Sequence, residues 1–98
     1  MAIRGFRDKG TRDIAAGLAS KPARRALPVE LHEIARRRLA YLAAAMSLDD
    51  LRARPGLNLH TLERDRRGQH AIRINDKYRL CFRWVASDAD EVEITDYH

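Results

Sequence analysis

From Tyr78 to Val85 the chain alternates: Tyr78, Leu80, Phe82 and Trp84 fall on one parity, and Arg79, Cys81 and Arg83 fall on the other. A period of two is the spacing at which side chains leave opposite faces of an extended backbone, so this stretch is a strand with one apolar and one basic face. Such a strand needs neighbours to pair its backbone groups and a second layer to cover its apolar side. His70 to Ile74 repeats the pattern, with Ile72 and Ile74 opposing Arg73, and Asn75-Asp76-Lys77 supplies a connecting turn. Leu57 to Leu62 is a shorter strand candidate, Arg64 to Gly68 a charged turn, and Glu91 to Tyr97 the last strand. Ala2 to Arg7 reads as an edge strand.

The covering layer lies in the first half. Between Pro28 and Met46, Leu31, Ala35, Leu39, Leu42 and Met46 fall within about 40° of one direction at 100° per residue, the core stripe of an amphipathic helix. Pro28 suits the first helical position and Glu30 the first turn. Arg36 and Arg37 point away from the stripe, Arg38 lies at its margin, and His32 falls on the polar side. Asp8 to Ala19 is a second helix, weakened by Gly10 and Gly17. Ser20 to Leu27 reads as a basic connector, and Ser47 to Leu51 as a short helical turn capped by Ser47. The pattern predicts a single domain, residues 1–98, with helices in its first half and strands in its second, one face of the strands packing on the helices.

Charge narrows the partner. All 19 Lys and Arg and 9 of the 14 acids precede residue 86, whereas residues 86–98 carry 5 acids and no cation. Sixteen of the cations are Arg, whose planar fork grips phosphate oxygens in pairs, so RNA or DNA is the expected partner ahead of an anionic membrane. The longest apolar run, Leu39 to Met46, is too short to span a bilayer. No targeting segment is evident, and a cytoplasmic location is expected. Cys81, the only cysteine, flanked by hydrophobic residues, reads as a small sheet residue rather than a nucleophile. No His pair has metal-ligand spacing, and no metal or cofactor is expected. Alternation puts Arg73, Arg79 and Arg83 on the sheet face away from the helices, with Glu93 as their expected counter-ion. The chain then closes on Asp96-Tyr97-His98, three groups able to move or orient a proton.

Arg64-Asp65-Arg66-Arg67-Gly68, the run from Ile72 to Trp84, and the closing Val92-Glu93-Ile94-Thr95-Asp96-Tyr97-His98 together resemble the HigB toxins of bacterial toxin–antitoxin systems, a branch of the RelE/ParE superfamily. The opening Ile3 to Gly10 and the Ser47 to Leu51 segment fit as well. The resemblance implies a RelE-like α+β fold, two N-terminal helices packed on one face of a small, mainly antiparallel sheet, and a ribosome-dependent, metal-independent endoribonuclease that cuts messages in the ribosomal A site. It also implies a cognate helix-turn-helix antitoxin of HigA type and, through that complex, indirect contact with operator DNA. The family's functional pattern carries over onto His60, Asp96, Tyr97 and His98, and Arg79 matches its central-strand arginine. Arg64, Arg66, Arg73 and Arg83 are the RNA-binding candidates. Thr61 stands where the family often has proline, and Glu63 where a basic residue is frequent, which leaves Arg64 as the substitute.

RNA cleavage by the substrate's own 2′-hydroxyl requires a base, a stabiliser of the phosphorane charge and an acid for the departing 5′-oxygen. His60, Asp96 and His98 are candidates for the first and third roles, with the assignment among them open. Arg79, with Arg73, suits the second. Tyr97, whose phenol ordinarily titrates near about 10, fits phosphate orientation or base stacking. Strict alternation puts Asp96 and His98 on the core face, so a bulge or a departure from the sheet must turn them. The alternative within the superfamily is a ParE-like protein that inhibits DNA gyrase by contact and cuts nothing.

Overall fold

The computed structural model describes residues 3–96, so Tyr97 and His98 lie outside the described residues. The order is α1 (Lys9–Ala15), α2 (Lys21–Ala26), a 3-10 turn (Val29–Leu31), α3 (His32–Ala44), α4 (Leu48–Arg52), β1 (His60–Thr61), a second 3-10 turn (Arg64–Arg66), β2 (Gln69–Arg73), β3 (Arg79–Val85) and β4 (Asp88–Thr95). The strands form one antiparallel sheet in chain order, an α+β arrangement as expected.

Asp8 caps α1 by accepting from the Thr11 amide at 2.8 Å. The helix stops at Ala15, short of the expected Ala19, and Gly17 at φ +79° takes the left-handed turn that glycine favours. The supposed connector is a helix. Ser20 caps α2 through the Ala23 amide at 3.2 Å, Pro22 stands in its first turn, and the Ser20 hydroxyl donates to Asp13 at 2.6 Å. The bonds to Asp13, from Ser20 first and then Lys9, hold its carboxyl below the usual carboxylate range. Gly10 explains how α2 docks: a Cβ there would fall 2.5 Å from the Pro22 carbonyl oxygen, so a glycine that weakens α1 as a helix lets the two backbones touch.

Pro28 precedes the 3-10 turn instead of opening the main helix. Ala35, Leu39 and Leu42 are buried as the stripe predicted, but α3 ends at Ala44 and Ala45 is extended, which leaves Met46 81% exposed. Leu51 of α4 and Leu57 are buried in that core instead. His32 is buried, not on a polar side, and its Nε2 donates to the Leu27 carbonyl at 2.8 Å. α1 and α3 lie on the sheet, while α2 packs against α1. Ile72, Ile74, Leu80, Phe82, Val92 and Ile94 form the sheet's half of this core, and Leu62, Ala71 and Cys81 make a small cluster of their own.

β4 begins at Asp88, earlier than expected, and its pairing with β3 carries an extra residue: Cys81 faces Glu93, but Arg83 faces Asp90. The irregularity includes Glu91 at φ +50° and resets the parity, so that Ala89 and Val92 both reach the core. The N-terminal segment is not a full strand. It runs parallel to β4 with isolated bridges at Ile3–Ala89 and Phe6–Val92. Beyond it, the hydroxyl of buried Thr11 accepts from the Ile94 amide at 3.0 Å and donates to Asp8 at 2.8 Å. Thr11→Val keeps the shape but strands that amide, so it is expected to cost about 1–3 kcal/mol in denaturant unfolding, whereas Thr11→Ser retains most of the stability. Equal stability of the Val variant and the parent would remove the hydroxyl from this role.

Candidate functional site

Direct cross-strand partners share a sheet face. On the face away from the main core one row reads His60, Ala71, Cys81, Glu93, the next Arg73, Arg79, Thr95, and a third pairs Gln69 with Arg83. The expected arginine-lined face is therefore present, with His60 at one edge and Glu93 at the other. His60 lies two strands and one two-residue row from Arg79, roughly 12 Å between backbones at the usual strand spacings.

The side chains on this face are held individually. His60 is exposed, and its Nδ1 donates to the Asn58 carbonyl at 3.0 Å, a tautomer that makes Nε2 the basic nitrogen. Arg79 Nη1 donates to the Tyr78 carbonyl at 3.1 Å and to that of Asn75. Arg73 pairs with Asp76. Arg38 is more than a marginal helix residue, because its Nε donates to the Arg73 carbonyl at 3.0 Å and ties α3 to β2. Arg66 reaches over from the second 3-10 turn to Glu93 at 2.7 Å and Gln69 at 3.1 Å. Arg83 Nε lies 3.2 Å from Glu91. Glu93 thus pairs with Arg66, as well as with Arg7 at 3.8 Å, and no pair joins it to Arg73, Arg79 or Arg83 among the described residues.

Two further candidates, like Arg66, fall outside these rows. Arg64 is exposed in its turn at φ +58°. Asp96 follows the end of β4, with Oδ2 3.9 Å from Lys77 Nζ. The extra residue of β4 lies upstream at Glu91, so it does not turn Asp96 toward Arg79; Asp96 departs by leaving the strand after Thr95. The sequence reading missed Gln69, Arg7 and Glu91 as neighbours of the face. Parity could have found Gln69, two residues before Ala71, but Arg7 arrives through a parallel contact with β4 that no local pattern encodes. Arg7, Asp65, Arg66, Gln69 and Glu93 line a shallow depression of about 380 Å³.

Burial pushes the Cys81 thiol up to about 11, so it stays protonated at neutral pH and serves the sheet as a small packed residue. His70 is half-buried on the opposite face, its ring 5.8 Å from Phe82 and Nδ1 3.3 Å from the Thr61 hydroxyl. Burial, then the charge of Arg52, lowers its pKa, as fits a structural histidine. Among the described residues no group of three His, Cys, Asp or Glu is arranged to hold a metal ion, and no helix is long and apolar enough to cross a membrane.

A face that carries Arg73, Arg79 and Arg83 with a histidine at its edge suits the binding of a polyanion. A family model described as the RelE-like toxin HigB of type II toxin–antitoxin systems matches residues 6–98. Toxin HigB-1 of Vibrio cholerae serotype O1 is 39% identical over 61 residues, a stretch covering 62% of this chain and 64% of that relative, short of two thirds of its length.

Proposed function

The chain belongs to the HigB-like, RelE-type toxins of type II toxin–antitoxin systems, and from that premise we propose that it is a ribosome-dependent endoribonuclease acting on messages in the A site. The observation that carries the reading is the adjacency of the Arg73–Arg79 row and the His60 row on one sheet face. Within it Arg79 is oriented by carbonyl oxygens, which fix the guanidinium without cancelling its charge.

In this mechanism the 2′-oxygen attacks the adjacent phosphorus, and its proton passes to a base. The bond from phosphorus to the 5′-oxygen breaks, and an acid protonates the departing oxygen, giving a 2′,3′-cyclic phosphate and a 5′-hydroxyl end. Arg79, supported by Arg73, binds the phosphoryl oxygens as charge builds on them. His60 through Nε2, Asp96 and His98 share the proton transfers, and Tyr97 orients the phosphate or stacks on a base. Arg64, Arg66 and Arg83 contact flanking phosphates. Membership implies an antitoxin partner. We assign it to the helix-turn-helix class, with operator DNA bound through the toxin–antitoxin complex, and place the toxin in the cytoplasm with the ribosome.

Brief expression of the toxin without its partner, followed by mapping of RNA 5′ ends, tests the proposal. Codon-phased cuts in translated messages that vanish when translation is blocked are expected. Phased cuts that persist without translation would remove ribosome dependence, and intact messages with inhibited gyrase would establish the ParE-like activity instead.

A further inference from the structure

The open face holds its own counter-ions. Arg66, Arg73 and Arg83 each meet a carboxylate, from Glu93, Asp76 and Glu91 respectively, whereas Arg79 rests on carbonyl oxygens. Two of these acids come from β4 and each serves two arginines: Glu93 lies 2.7 Å from Arg66 and 3.8 Å from Arg7, and Glu91 lies 3.2 Å from Arg83 and 3.8 Å from Arg7. Both stand within a Debye length of any phosphate bound by those arginines, so they repel it and compete for the same donors. Glu91 holds its place at φ +50°, a conformation unfavourable for an L residue, inside the irregularity of β4.

We propose that Glu91 and Glu93 are specificity determinants that exclude free single-stranded RNA from the face. Their carboxylates occupy the guanidiniums that a phosphate would take, and bound RNA must displace them. A ribosome overcomes this because it presents the message already ordered and at a high effective concentration, whereas free RNA has no such advantage. The inference rests on the reading of this face as the RNA surface, and binding can be tested separately from cleavage.

The measurement is fluorescence anisotropy of a labelled 2′-O-methyl RNA dodecamer, which cannot be cut, across a range of salt. Relative to the parent, Glu91→Gln/Glu93→Gln is expected to bind about tenfold tighter at low salt, at up to about fivefold for each partly exposed pair. Its plot of log affinity against log salt should steepen by about 1.4, at about 0.7 for each further phosphate neutralised on a single strand. Glu33→Gln/Asp49→Asn changes net charge equally on exposed helix positions and should move affinity less than twofold, with no change of slope. Glu91→Gln alone, at an exposed position, should give about half the logarithmic gain and covers the case of a poorly folding double variant. Unchanged affinity of the carboxylate variants, or an equal gain in the helix control, overturns the proposal. If Arg66→Gln and Arg79→Gln weaken binding while carboxylate removal does not strengthen it, only the exclusion fails. If the arginine changes also leave binding untouched, the RNA face itself is wrong.

Discussion

Arg79→Ala is expected to lower single-turnover message cleavage on programmed ribosomes by about 10²–10³-fold, the usual loss when an oriented donor to a transition-state oxyanion is removed. Its guanidinium donates to the carbonyls of Asn75 and Tyr78, and Leu80 and Phe82 beside it are fully buried independently of it, so the fold should survive. Arg37→Ala is the matched control. It removes the same charge from a side chain 69% exposed on α3, with the loss of one i,i+4 pair with Glu33. Such a pair contributes about 0.3–0.5 kcal/mol, and its removal should leave the cleavage rate within twofold. Equal losses for the two variants would mean that general electrostatic attraction, not a placed guanidinium, drives the reaction.

Deleting Tyr97 and His98 is expected to reduce cleavage by about 10²–10⁴-fold, the range for losing a proton-transfer group, with misalignment of the phosphate added to it. The buried residues of β4 are Ala89, Val92 and Ile94, all before Thr95. Thermal midpoint and antitoxin binding should therefore stay close to those of the full chain. Full-rate cutting by a stable, antitoxin-binding truncation would take the closing residues out of the mechanism.

The sheet was legible because two strict alternations, Ile72/Ile74 against Arg73 and Leu80/Phe82 against Arg79/Cys81, leave one way to bury the apolar parity. The α3 stripe was legible for the same reason at helical spacing. What failed has physical causes. Lys21-Pro22-Ala23-Arg24-Arg25-Ala26 carries no apolar stripe, and α2 exists because Ser20 caps it and Gly10 lets it approach α1. Met46 keeps the stripe's spacing, but spacing does not say where a helix ends, and the extended Ala45 carries it out of the core. The start of β4 was hidden because Asp88-Ala89-Asp90 is mostly polar and the extra residue near Glu91 breaks the parity that would have linked Ala89 to Val92. At the candidate site, alternation alone put Arg73, Arg79 and Arg83 on one face. It did not say which arginines would meet carboxylates, since that depends on a loop reaching over from Arg64–Arg66 and on the N-terminal segment lying beside β4.

If the message's own 2′-hydroxyl cuts it within the ribosome, on the face that holds Arg79, removing that hydroxyl must stop the reaction. The direct test programs ribosomes with a message carrying a single 2′-deoxynucleotide at the scissile position and measures single-turnover cutting beside the all-ribose message. The ribose message should be cut to a 2′,3′-cyclic phosphate and a 5′-hydroxyl end, and the deoxy message should stay intact at that position. Cutting of the deoxy message there at the ribose rate would contradict cleavage by the 2′-hydroxyl.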